Sequence, residues 1–165
     1  LIDYKLSKES TIENVHTKAV TTEFGEFKLN VWRDVIFDEY HFSLTKGSPE
    51  KVDVPMVRVQ TQSVLQDTLG IDEIGKKWSI RKSLQKIADE GTGVFVLINH
   101  RDAKTYWLSN LKDENIEPKR NRRVIGIGSQ ILRAIGLNKI KVLGTPTKYS
   151  GLSGFNIEIE GFIDE

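Results

Sequence analysis

A change of hydrophobic period partway along the chain is the feature that most constrains its fold. Phe24-Gly25-Glu26-Phe27-Lys28-Leu29-Asn30-Val31-Trp32 alternates apolar and polar residues, the period of two that suits a half-buried strand. Tyr40-His41-Phe42-Ser43-Leu44 repeats the pattern, and Lys46-Gly47-Ser48-Pro49 closes it with a turn. Val54–Val59 reads as a third strand, with Pro55 near its start, where a missing N–H is tolerable. Three successive strands with short turns predict an antiparallel meander. Beyond residue 78 the period becomes helical. Ser79 is placed as an N-cap, Ile80, Leu84 and Ile87 fall on one helical face, and Gly91 stops the run. Val94–Ile98 reads as a buried strand, Ser129–Gly136 as a short helix, Ile140–Leu143 as a strand and Phe155–Ile159 as one more. Antiparallel strands first and helix–strand units later predict an α+β domain.

Residues 1–19 have a different texture. Leu1-Ile2-Asp3-Tyr4-Lys5-Leu6 has the composition of a helix end, and Ser7 to Lys18 is polar with few large apolar groups. This stretch is expected to be an arm or inter-domain linker, the alternative being a first helix docked on the domain. The remainder of the 165 residues suffices for one domain. A net charge of +1 offers no general attraction for nucleic acid or anionic membranes. No apolar run approaches the roughly 20 residues of a membrane span. No signal peptide is visible and Leu1 is not an initiator Met, so the chain reads as a fragment or processed product. It has no cysteine, which excludes thiolate nucleophiles and thiolate-held metals and makes a cytoplasmic location the default expectation.

Candidate chemistry is sparse. His16, His41 and His100 are too far apart in sequence to form a metal-binding pair on one helix or loop. His41 lies in a strand pattern and is expected to be structural, whereas His100 follows a buried strand, where loops often carry function. Lys119-Arg120-Asn121-Arg122-Arg123 is the densest basic cluster, suited either to a polyphosphate or to plain solvated surface. Gly126-Ile127-Gly128 is expected to open the helix at Ser129 and to offer free N–H groups to an anion. Thr145-Pro146-Thr147-Lys148 and Gly151-Leu152-Ser153-Gly154 frame a loop carrying one Lys and several hydroxyls. Residue by residue, these features describe an α+β domain with a possible anion site.

A resemblance adds to this. Gly126-Ile127-Gly128-Ser129-Gln130-Ile131-Leu132-Arg133-Ala134-Ile135-Gly136-Leu137, then Ile140–Leu143, then Lys148-Tyr149-Ser150-Gly151-Leu152-Ser153-Gly154-Phe155 closely resembles the C-terminal part of GTP cyclohydrolase II. Upstream, Thr21–Phe27, Tyr40–Leu44, Val57-Arg58-Val59 and Ile87–Gly93 are similar to that family's segments in the same order, so about residues 20–160 are covered. The resemblance implies a cyclohydrolase II-like mixed sheet with helices over residues 20–165. Leu1–Leu6 is similar to the last helix of 3,4-dihydroxy-2-butanone 4-phosphate synthase, which implies that residues 1–19 are the linker and the end of a preceding synthase domain in a riboflavin-pathway fusion.

Members of the family hydrolyse GTP with one zinc, held by three cysteines, and a magnesium-bound triphosphate. The resemblance places Ser63, Ile74 and Lys76 at the zinc-ligand positions, and none of these is a zinc ligand of that kind. A rescue by other ligands would require Asp67, Asp72, Glu73 or His100 to converge on one ion. The family's catalytic acid falls on Asn121, which cannot act as a general base, and its RQEGR loop falls on Asn99-His100-Arg101-Asp102-Ala103. Arg123 stands at the catalytic-arginine position, and Arg58 and Lys148 stand at nucleotide- or phosphate-contacting positions. The implied function is a degenerate cyclohydrolase II domain without its own cofactor, supporting an attached magnesium-dependent synthase through structure or regulation, in a cytoplasmic homodimer. The alternatives are an active cyclohydrolase with a non-standard metal site and a GTP- or phosphate-binding regulatory module.

Overall fold

The alternating stretch that begins at Phe24 forms strand β2 (Gly25–Asp34), and the chain returns through a four-residue turn as β3 (Glu39–Lys46). The computed structural model describes residues 10–71, 78–99, 108, 111–112, 118–144, 146 and 156–164, and for residues 118–122 the backbone alone. Within them a further strand precedes β2. Residues 12–22 form β1 (Ile12–Thr22), antiparallel to β2 from Ile12↔Asp34 to Thr22↔Gly25 with a bulge between Asn14 and His16. Residues 12–19, read above as part of a polar arm, are therefore strand. Their polarity has a physical cause: β1 lies at the edge of the sheet and most of its side chains face solvent, so no apolar alternation is imposed.

The sheet has seven strands in the order β1-β2-β3-β5-β4-β6-β7. Here β4 is Met56–Thr61, β5 Gly93–Ile98, β6 Lys139–Leu143 and β7 Glu158–Ile163. The expected meander is β1-β2-β3 and does not include the third strand read from the sequence. Helix α1 (Ile80–Glu90) carries the chain from β4 to β5 as a crossover, so these two strands pair in parallel, and β5 inserts between β3 and β4. β4, β6 and β7 continue in parallel, giving a mixed sheet and an α+β domain. β7 begins three residues later than the sequence pattern places it, because Asn156 takes φ +58° and interrupts the extended chain.

Helix α1 forms as its sequence dictates. The Ser79 hydroxyl accepts the Lys82 N–H at 3.2 Å, and Gly91, at φ +85°, donates its N–H to Ile87 at 3.0 Å. Its apolar stripe packs Leu84 and Ile87 against Phe27, Met56, Phe95, Leu143 and Trp78 on one face of the sheet. Helix α2 (Pro118–Ile135) covers the other face, laying Ile127, Ile131 and Leu132 on Val57, Val94, Val96, Ile140 and Val142. It starts eleven residues before the expected start at Ser129, so Gly126 and Gly128 lie in the helix interior. Glycine disfavours helix by about 1 kcal/mol, but close packing overrides that preference. A Cβ on Gly128 would stand 2.9 Å from the Val59 Cγ1 atom, so only glycine lets α2 approach β4 this closely. No helix among the described residues is long and apolar enough to cross a membrane.

Candidate functional site

Strand β4 leads to the positions that the resemblance singled out. Met56 packs on the α1 side of the sheet, and strand alternation puts Arg58 and Gln60 there too. Arg58 donates from Nε to the Gln60 side-chain oxygen at 3.1 Å, from Nη1 to the Leu143 carbonyl at 3.0 Å and from Nη2 to the Trp78 carbonyl at 3.2 Å. Its guanidinium thus ties β4 to the end of β6 and to the start of α1.

Two residues past β4 is Ser63, 5% exposed. It caps a five-residue π-helical turn, Val64–Thr68. Its hydroxyl accepts the Gln66 N–H at 3.3 Å, and its own N–H donates to the Asp67 carboxylate at 3.0 Å. Serine and aspartate cap each other's turn, as in a capping box set one residue wider. Asp67, one of the four candidates for a replacement metal site, has its Oδ2 on the Ser63 backbone N–H. The other three, Asp72, Glu73 and His100, lie outside the described residues, as do Ile74, Lys76 and Lys148.

Arg123 projects from α2 onto the opposite face of the sheet from Arg58. There Asn30, Trp32 and Asp34 of β2 stand directly across from Ser43, His41 and Glu39 of β3. All but Glu39 are buried residues, and the Glu39 side chain is only 9% exposed. Arg123 reaches the Glu39 carboxylate at 2.6 Å and the Asp34 carboxylate at 4.0 Å, and its guanidinium lies 4.5 Å from the Phe37 ring centre. Trp32 donates its indole N–H to the Ser43 hydroxyl at 2.9 Å. His41 is fully buried and its Nδ1 accepts the Asn99 N–H at 3.0 Å. The Asn99 amide also donates to the Tyr40 carbonyl at 2.7 Å, so the first residue of the Asn99–Ala103 segment fastens β5 to β3. His41 is the structural histidine that its strand position implied, and His16 lies on β1.

The basic cluster of residues 119–123 occupies the first turns of α2, with the Asn121 backbone two residues before Arg123. Gly126-Ile127-Gly128 does not form an anion-binding helix start. These residues are preceded by two turns of helix, so their N–H groups belong to the helical ladder. The structure does not gather the arginines into one site: Arg58 and Arg123 lie on opposite faces, each engaged by protein groups. The sequence reading missed Asp34 and Glu39 as partners of Arg123. Their available signal was register: Asn30 and Asp34 share their face of β2 with Trp32, which marks that face as buried.

Comparison with known proteins bears on the same residues. The model of the family GTP cyclohydrolase II matches residues 13–164. A 3,4-dihydroxy-2-butanone 4-phosphate synthase of Pseudomonas aeruginosa is 30% identical over 169 residues, covering 99% of this chain and 46% of that protein. The riboflavin biosynthesis protein RibBA of Cytophaga hutchinsonii is 30% identical over 174 residues, covering 96% of this chain and 43% of that protein. Among solved structures, RibBX, a two-domain 3,4-dihydroxy-2-butanone 4-phosphate synthase from A. baumannii, superposes with a TM-score of 0.68 at 27% identity, covering 99% of this chain and 44% of that one. The chain therefore spans less than half the length of these relatives. With the family model matched across nearly all of its length and the mixed sheet shared with RibBX, the chain belongs to the GTP cyclohydrolase II family.

Proposed function

We propose that this chain is a cyclohydrolase II-type domain that no longer hydrolyses GTP and that supports a 3,4-dihydroxy-2-butanone 4-phosphate synthase in the same polypeptide. The observation that carries this reading is the Ser63 cap. At a position where the family places a zinc thiolate, a buried hydroxyl accepts a backbone N–H, and the neighbouring carboxylate accepts its own. Ile74 and Lys76, at the other two zinc positions, add a hydrocarbon and a cation. This donor set does not fit zinc, which needs soft or anionic ligands with free lone pairs. Attack of water on a purine ring without metal activation forfeits several kcal/mol of barrier lowering or more.

The retained arginines support the same reading. A catalytic arginine must point its donors at a substrate, whereas Arg123 is ion-paired with Glu39 and Arg58 bonds two backbone carbonyls. Asn121 replaces the family's acid and supplies no base. The domain then needs no cofactor of its own, and the magnesium of the fusion belongs to the synthase. RibBX is described as a two-domain synthase, and the Pseudomonas relative is likewise named for synthase activity, which fits a second domain kept for support. A cytoplasmic homodimer, with dimerisation, solubility or regulation of the synthase as the retained benefit, completes the proposal.

The deciding experiment is GTP turnover by the full-length fusion with and without added zinc, alongside synthase activity and metal analysis. Synthase turnover with no formate release from GTP and no stoichiometric zinc is expected. Release of formate and pyrophosphate above a zinc-free blank overturns the proposal.

A further inference from the structure

Large apolar side chains exposed to solvent are concentrated in one place. Among the described residues nine are exposed, and four of them fall within six consecutive positions: Val35, Ile36 and Phe37 in the β2–β3 turn, and Tyr40 at the start of β3. Scattered single residues of this kind are ordinary, but Val35, Ile36 and Phe37, three in a row in the turn, form a local apolar cluster of the kind that marks a contact surface. Polar interactions fix this tip. Ile36 donates its N–H to Asp34 at 3.0 Å, and Arg33 grips Asp38 at 2.8 Å, with Asp38 held at φ +52°. That hydrogen bond and the Asp38 charge raise the Arg33 pKa above its ordinary value. Phe37 stacks under Arg123. An apolar loop held in one shape meets a partner with little ordering entropy left to lose.

The position of the tip identifies the partner. Val35 donates its N–H to the Thr11 carbonyl at 2.9 Å, while the Thr11 N–H donates to Gln130 of α2 at 2.6 Å. The chain thus arrives at β1 pinned between the hairpin tip and α2. The nine residues before Ser10 span at most about 30 Å even when fully extended. Any domain joined there is tethered beside Val35–Phe37, at an effective concentration in the millimolar range. The relatives are about twice this chain's length, so a second domain of comparable size is available to cover the patch. We propose that the hairpin tip formed by Val35, Ile36 and Phe37 is the docking surface for the synthase domain preceding residue 10. This rests on the fusion reading given above.

The test uses the full-length fusion with a photo-crosslinking benzoylphenylalanine in place of Ile36 or, aromatic for aromatic, of Phe37. Leu69, 63% exposed, is the control position. Irradiation is expected to give a product of unchanged mass whose digest joins residue 36 or 37 to synthase peptides, at a yield at least about tenfold above the control, equivalent to about 1.4 kcal/mol of preference. Cross-links confined to residues 10–165, a product of doubled mass from a second copy, or a yield no higher than at Leu69 each overturn the proposal. Failure of the fusion reading is recognised separately, as a full-length chain with neither synthase peptides nor synthase turnover.

Discussion

The two ends of helix α2 rest on very different parts of the same sheet face. Its C-terminal half lies on the parallel strands, where Val57, Val94, Val96, Ile140 and Val142 form a hydrocarbon surface. Its N-terminal part reaches the antiparallel strands, where Asn30, Asp34, His41 and Ser43 are buried around Trp32 and the Glu39 side chain is nearly so. The first contact is non-directional and tolerates exchange of one aliphatic residue for another of like volume. The second depends on one cation facing two carboxylates with little water nearby. The difference gives Arg123 a structural duty to Asp34 and Glu39 that a surface arginine lacks.

The contrast can be broken most severely on the hydrocarbon side. Ile131→Ala removes a fully buried side chain and is expected to cost about 3–4 kcal/mol in urea unfolding. A loss below about 1 kcal/mol would mean that α2 is not seated as described. On the polar side, Arg123→Met leaves Asp34 and Glu39 buried without their cation and is expected to cost about 2–3 kcal/mol. Combining it with Asp34→Asn and Glu39→Gln should recover at least about half of that loss, because the uncompensated charge disappears with its partner. Thermal melts of the single and triple variants measure this directly.

Smaller effects sharpen the comparison. Gly128→Ala sets overpacking against Val59, costing about 1–3 kcal/mol, against a helix-propensity gain of about 1 kcal/mol. A net loss near 1 kcal/mol is expected, and it should shrink in a Val59→Ala background. At the solvated edge of the antiparallel half, Lys18→Thr on β1 is expected to stay within about 0.5 kcal/mol of the parent in the same urea titration.

How much of this was legible beforehand depended on whether a segment's signal was local. Helix α1 was: its cap, apolar stripe and glycine stop are encoded within thirteen consecutive residues, and each took its expected place. β2, β3 and β5 were similarly readable from alternation or from a continuous apolar run. β1 was not, because an edge strand with both faces largely in water needs no apolar period. The length of α2 was also hidden, since Gly126 and Gly128 read as a turn until the close approach to Val59 gives a reason for glycine inside a helix.

The sequence by itself determined that this chain has no cysteine and that strands precede helix–strand units, while the placing of Ser63, Ile74, Lys76 and Asn121 at the family's zinc and acid positions is what the resemblance implies. These are matters of residue identity and local period, which need no third dimension. Only the tertiary structure decided that β5 separates β3 from β4, that Arg58 and Arg123 occupy opposite faces of one sheet, and that Arg123 meets Asp34 and Glu39. The reason is that strand pairing and ion pairing join residues tens of positions apart. Asp34 and Arg123 are separated by most of the chain, and only the folded sheet and helix bring their charges to the same place.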